Sequence, residues 1–254
     1  PAMTQDPLIV EDVCPEDPEW PTAAEGAGRD IKVVLPTDRD CEPNRTAPAC
    51  PGNSTGGLIT DIGGTSGNPA RNIWVVGGKI VNKWGQGSTI CPDGKREDAG
   101  KGALSLQFYT GTAFIEGTHF DLRCTCEDAI RSNQHRSTSR IVAQNVRAEG
   151  FAQCSPGTHG DFIHPQAGYS GQSVKDIKLE NVAILRDNQV VWAPPRTTGH
   201  GVRETLTLDH VSIGKRDCPQ APGDGWVLGW KEPNSSLAPT NEVRFNKTFI
   251  DPIS

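Results

Sequence analysis

Long helical patterns, aromatic residues and long apolar runs are what this sequence has least of. Aromatics make up 6% of its 254 residues. The longest apolar runs, such as Ile31 to Leu35, fall far below the roughly 18 residues a membrane-spanning helix needs. A soluble chain with no membrane insertion is therefore expected. Familiar site signatures are missing as well. Gly168-Tyr-Ser-Gly171 is followed by Gln172, so it is not a nucleophile elbow, and Gly85-Gln-Gly87 has no third glycine at dinucleotide spacing. There is no HExxH or Walker lysine motif, and the eight cysteines contain no CxxC pair, which removes the usual zinc and thioredoxin-like readings. A net charge of −6 argues against nucleic acid as a partner of the whole surface.

The chain is instead rich in glycine (28) and proline (20), a composition that suits many short strands joined by tight turns. An even number of cysteines points to disulfides formed in an oxidising compartment, hence to a secreted, extracellular or periplasmic protein. Cys41 and Cys50 are spaced to close a short loop, and Cys124 or Cys126 to reach Cys154, with the connectivity left open by spacing alone. Cys124-Thr-Cys126 also offers two thiols on one strand face, where a metal shared with His119 or His135 is the costlier explanation. Charge is uneven along the chain. Between Arg123 and Arg147 five arginines and His135 face only Glu127 and Asp128.

One pattern, apolar-x-apolar-x-x-apolar-x-apolar, recurs through the rest. It reads Ile73, Val75, Gly78, Ile80; Ala113, Ile115, Thr118, Phe120; Ile141, Ala143, Val146, Ala148; Ile177, Leu179, Val182, Ile184; Leu206, Leu208, Val211, Ile213; and Val243, Phe245, Thr248, Ile250. Successive copies start 40, 28, 36, 29 and 37 residues apart. Two period-2 segments separated by one phase slip describe a strand, a bend and a second strand facing the same interior. Gly117, Asn145, Asn181 and His210 lie at or just before the slip, where unusual backbone angles are expected. A third strand precedes most copies: Ala103 to Phe108, Ala129 to Asn133, Phe162 to Gln166, Gln189 to Ala193 and Trp226 to Trp230. Units of three short strands cannot bury an apolar face alone, so they stack. Residues 1–57 are rich in proline, acid and cysteine, with one clear strand at Ile31 to Leu35, and read as an N-terminal extension that caps the stack.

On this periodicity residues 70–250 resemble the right-handed parallel β-helix proteins of the pectate-lyase-like superfamily. The resemblance implies an all-β fold: a right-handed parallel β-helix of about six coils at 58–254, with a disulfide-pinned N-terminal cap at 1–57.

With Ile130 and Ile163 as stacked interior neighbours, alternation turns Ala129, Arg131 and Asn133 outward from one coil and Phe162, His164 and Gln166 from the next. Arg131 then sits beside His164, and Asn133 beside Gln166. In the following coil Val190 takes the interior place and Val191 faces out, with Trp192 at the strand end as a sugar platform. The result is a basic, polar patch suited to an anionic polysaccharide. In β-elimination of a uronate polymer a cation neutralises the carboxylate next to the acidic carbon and a base removes its proton. Arg131 is the candidate for the first role. His164 or His135 is the candidate for the second. Arg136, His159, Asn133, Gln166 and Trp192 are candidate substrate contacts, His159 lying in a glycine-flanked turn where histidine commonly bonds only backbone.

Each assignment has a plainer counterpart. Arg131 and Asn133 also fit a solvated outer face, and His164, between Phe162 and Pro165, fits a packed structural histidine. Asp128, Asp161, Asn188 and Asp224 open successive coils at matching places, either as a turn-capping ladder or as carboxylates of a calcium site or hydrolytic pair. Lyases of this fold often use calcium as charge neutraliser, and Asp128 and Asp161 are the residues that would hold it. No cofactor is otherwise expected. Thr198-Gly-His-Gly201 resembles the Gly-His-Gly element of β-helical polygalacturonases and implies, as an alternative, an inverting glycoside hydrolase with Asp161 among its acids. A non-catalytic glycan-binding, adhesin or spike-like β-helix is the reading from another class.

Overall fold

The computed structural model describes residues 6–42, 61–81, 102–125, 128–133, 136–151, 160–165, 174–186, 190–192, 202–215, 228–229 and 242–251. Apart from one short helix, Ala23–Gly26, the regular elements are β-strands. Among the described residues every strand pairing is parallel, in a thirteen-stranded and a six-stranded sheet. The all-β, repeat-built class expected from the sequence is what folds.

The larger sheet consists of two rows. The first holds Leu8–Glu11, Ile31–Val34, Ile73–Val76, Thr112–Glu116 and Arg140–Gln144; the second holds Asp40–Cys41, Lys79–Val81, His119–Thr125 and Arg147–Phe151. Both run into Val174–Arg186 and Val202–Lys215, whose first halves continue the first row and whose second halves continue the second. Glu242–Asn246 and Phe249–Ile250 extend them further. The six-stranded sheet is a third row of Asp61–Gly63, Gly102–Gln107, Asp128–Asn133, Ile163–Pro165, Val191–Trp192 and Leu228–Gly229. From Ile31 onward the chain visits the three rows in turn.

Register follows the apolar repeat residue for residue. Ile73, Ala113, Ile141, Ile177, Leu206 and Val243 are successive partners in the first row. Ile80, Phe120, Ala148, Ile184, Ile213 and Ile250 are successive partners in the second. Most of these side chains are fully buried in one apolar core, each contributing about 1.5–3 kcal/mol relative to exposure when it is a whole aliphatic or aromatic group. Between the rows the backbone turns through the left-handed region at Gly77, Gly78, Gly117, Asn145, Asn181, His210 and Lys247. Four of these are the residues expected at the slip. Left-handed angles are costly for a residue with a Cβ and least so for asparagine among polar side chains, and the Asn181 amide also donates to Asn145 Oδ1 at 2.7 Å.

The parallel rows begin earlier than the apolar repeat alone indicates. Ile31–Val34 pairs with Ile73–Val76, and Asp40–Cys41 with Lys79–Val81, inside the stretch read as a cap. Leu8–Glu11 adds a further strand, with Leu8 and Val10 packed against the core. The disulfide expectation needs a correction: Cys41 is bonded to Cys14, not Cys50. Cys41 pairs with Ile80 on a core-facing position and is fully buried, so its sulfur meets the segment that packs over the core. A loop of 27 residues closed in this way restricts the unfolded chain by about 3–4 kcal/mol. Cys50, Cys126 and Cys154 lie outside the described residues. Among the described residues no helix is long and apolar enough to cross a membrane.

Replacing Asn145 or Asn181 by alanine is expected to lower stability by about 1 kcal/mol each, and by glycine to cost less, because only the methyl group meets the left-handed penalty. Urea midpoints of the four variants check this; equal losses for alanine and glycine would contradict it.

Candidate functional site

The third row carries the candidate site. Ile130 pairs with Ile163 and Arg131 with His164, as the stacking argument requires. Behind this face Ser132 points inward, where its hydroxyl meets the Tyr109 hydroxyl at 2.8 Å in the core; that buried bond fixes the alternation that turns Arg131 the other way. One register expectation fails. Ile163 pairs with Val191, not Val190, and both valines are buried, so Val191 does not face out. A short two-residue strand gives alternation too few positions to fix its phase.

Two carboxylates converge on the histidine. Asp128 Oδ1 accepts the Asp161 backbone amide at 2.9 Å, the turn-capping role expected of it. Its Oδ2 lies 3.1 Å from His164 Nδ1, and Asp161 Oδ2 lies 3.4 Å from the same nitrogen. A proton on Nδ1 is what two facing carboxylate oxygens stabilise, and it leaves Nε2 as the ring atom able to accept one. The group is shielded from water: Asp161 is 0%, Asp128 3% and Arg131 8% exposed, while the His164 side chain keeps 15%. Arg131 is therefore no part of a solvated face. Nor is the patch simply basic, because two acids sit against the histidine.

Asp128, Asp161 and His164 each offer a ligand atom within 4.8 Å of the others. Two oxygens and an imidazole nitrogen suit a transition-metal ion better than calcium, which takes six to eight oxygens. Asn133 pairs with Gln107 further along the strand. Arg136 lies in the turn that follows, its Nη2 reaching the Ser66 carbonyl at 3.5 Å. Trp192 pairs with Gly229. His135, His159, Gln166, Asn188, Asp224 and the Gly-His-Gly element lie outside the described residues.

A second polar cluster, not read from the sequence, lies on the outer side of the second row. Lys79, His119 and Arg147 are register neighbours, and two residues on, on the same face, are the neighbours Asp121 and Glu149. His119 Nε2 lies 2.8 Å from Glu149 Oε1 and Arg147 Nη2 lies 3.2 Å from Glu149 Oε2. Lys79 Nζ stands between Asp40 and Asp121 at 3.4 and 3.6 Å. His119 is thus engaged by a carboxylate. The signal was in the sequence: charges two residues apart on strands of known register must fall on one face.

Burial pushes the Glu149 carboxyl up, but hydrogen bonds and charge from His119 and Arg147 outweigh it and hold the group below its ordinary value of 4.5. A depressed folded-state pKa contributes stability that is present above 4.5 and lost as pH falls through the folded value. Glu149→Gln is therefore expected to reduce stability at neutral pH and to flatten its acid-side decline. Denaturant titrations between neutral and acid pH check the slope; parallel profiles for both proteins would contradict it.

No protein-family model, no curated protein and no solved structure matches the chain, and the chemistry of the site rests on its own residues.

Proposed function

We propose that the chain is a right-handed parallel β-helix of the pectate-lyase-like kind that acts outside the cell on a uronate-containing polysaccharide, cleaving it by β-elimination. Each passage through the three rows is then one coil, with the strands Ile31–Val34, Asp40–Cys41 and Asp61–Gly63 marking a coil beyond the six expected. The Cys14–Cys41 disulfide supports an oxidising compartment.

The observation that carries the reaction is the register pairing of Arg131 with His164, with two carboxylate oxygens at His164 Nδ1. His164 Nε2 takes the proton from the carbon next to the uronate carboxylate. The electrons of that C–H bond form the carbon–carbon double bond, the bond to the leaving glycosidic oxygen breaks, and water protonates that oxygen. Asp128 and Asp161 hold the imidazole tautomer and stabilise the imidazolium. Arg131 offsets the charge that builds on the uronate carboxylate, and a guanidinium shielded from water does so more strongly than one in solvent. His135 is the alternative base, and Asn133, Arg136, His159, Gln166 and Trp192 are the proposed substrate contacts. Paired acids of an inverting hydrolase usually stand roughly 6.5–9.5 Å apart, more than the 4.8 Å limit between ligand atoms of Asp128 and Asp161, so elimination is favoured over inversion by these two.

Ultraviolet absorbance of unsaturated product ends, screened across alginate, pectate, glucuronan and glycosaminoglycans, tests this directly. His164→Ala is expected to lower turnover by about 10²–10⁴-fold with the circular-dichroism spectrum unchanged, and Arg131→Lys to lower it as well. Wild-type rates in both variants would remove the site. Failure of every substrate to give that absorbance, beside retained affinity on a glycan array, would make the protein a binder.

A further inference from the structure

A cavity of about 370 Å³ opens between residues 17–23 and the start of the third row. That volume lies in the range of roughly 300–1,000 Å³ usual for small-molecule sites. Its walls include Asp17, Trp20, Thr22, Asp61, Gln107 and Phe108. The N-terminal wall is fixed at several points. Cys14 is tied to Cys41, Trp20 Nε1 donates to the Asp61 carbonyl at 3.2 Å, and a reciprocal Thr22–Glu25 capping box opens the helix Ala23–Gly26. The opposite wall is equally set. A Cβ on Gly63, whose φ is +156°, would fall 1.6 Å from the Gln107 carbonyl oxygen, so only glycine lets the two strands approach there. Phe108 takes a left-handed φ of +44°, a conformation costly for an aromatic residue, while its carbonyl accepts the Gly64 and Ala70 amides.

The cavity is in line with the candidate site. Asp61 pairs with Ser105, Ser105 with Arg131, and Arg131 with His164. Three steps at the usual strand spacing put Asp61 about 14 Å from His164 along one outward column. A polymer spanning both passes over the buried Ser105 and Arg131. The charges at the two ends differ. At His164 the carboxylates of Asp128 and Asp161 stand with a cation, Arg131, in register beside the imidazole, whereas the described residues lining the cavity bring carboxylates and no lysine or arginine, Arg39 reaching Asp17 from outside the lining at 2.6 Å. Asp17 stays ionised, its carboxyl held down first by the Cys14 amide and then by Arg39.

We infer that this cavity is a binding subsite for a sugar unit without a carboxylate, several residues along the chain from the bond at His164. Carboxylate oxygens and the Gln107 amide serve hydroxyl groups, and the aromatic and proline walls take the apolar face of a pyranose ring. A uronate is repelled by Asp61, the charge of Asp17 being paired with Arg39. The inference rests on the glycan reading for the nature of the ligand, and it narrows the substrate to a heteropolymer in which uronate and uncharged sugars both occur.

Saturation-transfer NMR with galactose, N-acetylglucosamine and galacturonate as probes tests it on wild type, Asp61→Lys and Ala23→Trp, the last filling the cavity from the exposed face of the short helix. Wild type is expected to give transfer from the neutral sugars and at least tenfold less from galacturonate. Asp61→Lys should reverse that order and Ala23→Trp should abolish transfer, both with wild-type melting temperature. No transfer from either neutral sugar to wild type, or unchanged transfer in Ala23→Trp, overturns the subsite. His164→Ala separates the two readings: it leaves transfer intact if the subsite exists, whether or not turnover falls.

Discussion

Everything described in this molecule hangs on parallel strands lying over one another in register, with shifts confined to Glu149–Phe151 and Val174–Asp176. A parallel pair leaves one edge of hydrogen-bonding groups open, and only the next copy of the same strand closes it. The same register fixes which side chains face the core, because a slip of one residue exchanges the two faces. The column from Ile73 to Val243 and the column from Ile80 to Ile250 stay apolar through successive partners. Neighbouring columns on the outer faces carry the charges.

The bend between the first two rows serves that register. Repeating the left-handed turn at nearly the same place in each copy keeps both flanking strands in phase with the copies on either side. Glycine removes the steric cost and asparagine reduces it, while the Asn181–Asn145 side-chain bond links adjacent turns. Capping residues do comparable work between the third row and the first. Buried Asp30 accepts from the Asn72 backbone and side-chain amides, and Asn72 Oδ1 accepts the Thr112 amide.

The two charged clusters differ in how much water they keep. The Lys79–His119–Arg147–Glu149 group stands on an outer face, where several weak ion pairs share solvent and each adds little. The Asp128–Asp161–His164–Arg131 group is nearly closed to water, where an unbalanced charge is costly and mutual compensation is required. That contrast is the reason the proposed proton transfer is assigned to the third row. It also explains why Asp128 divides its two oxygens between a backbone amide and the imidazole.

Period-2 alternation with one phase slip was enough to read the strands from Ile73 onward, four of the bend residues and the partners Ile130–Ile163 and Arg131–His164, since Cβ direction in a strand follows from backbone geometry alone. It could not place Val191, because two residues carry no period. It did not reveal that Cys14 meets Cys41, that Arg131 is withdrawn from water, or that Asp128 and Asp161 share one imidazole nitrogen. Those facts depend on how segments far apart in the chain lie against each other in space, and distances of 3.1 and 3.4 Å at His164 are set by packing of neighbouring strands and turns, which no local pattern of residues encodes.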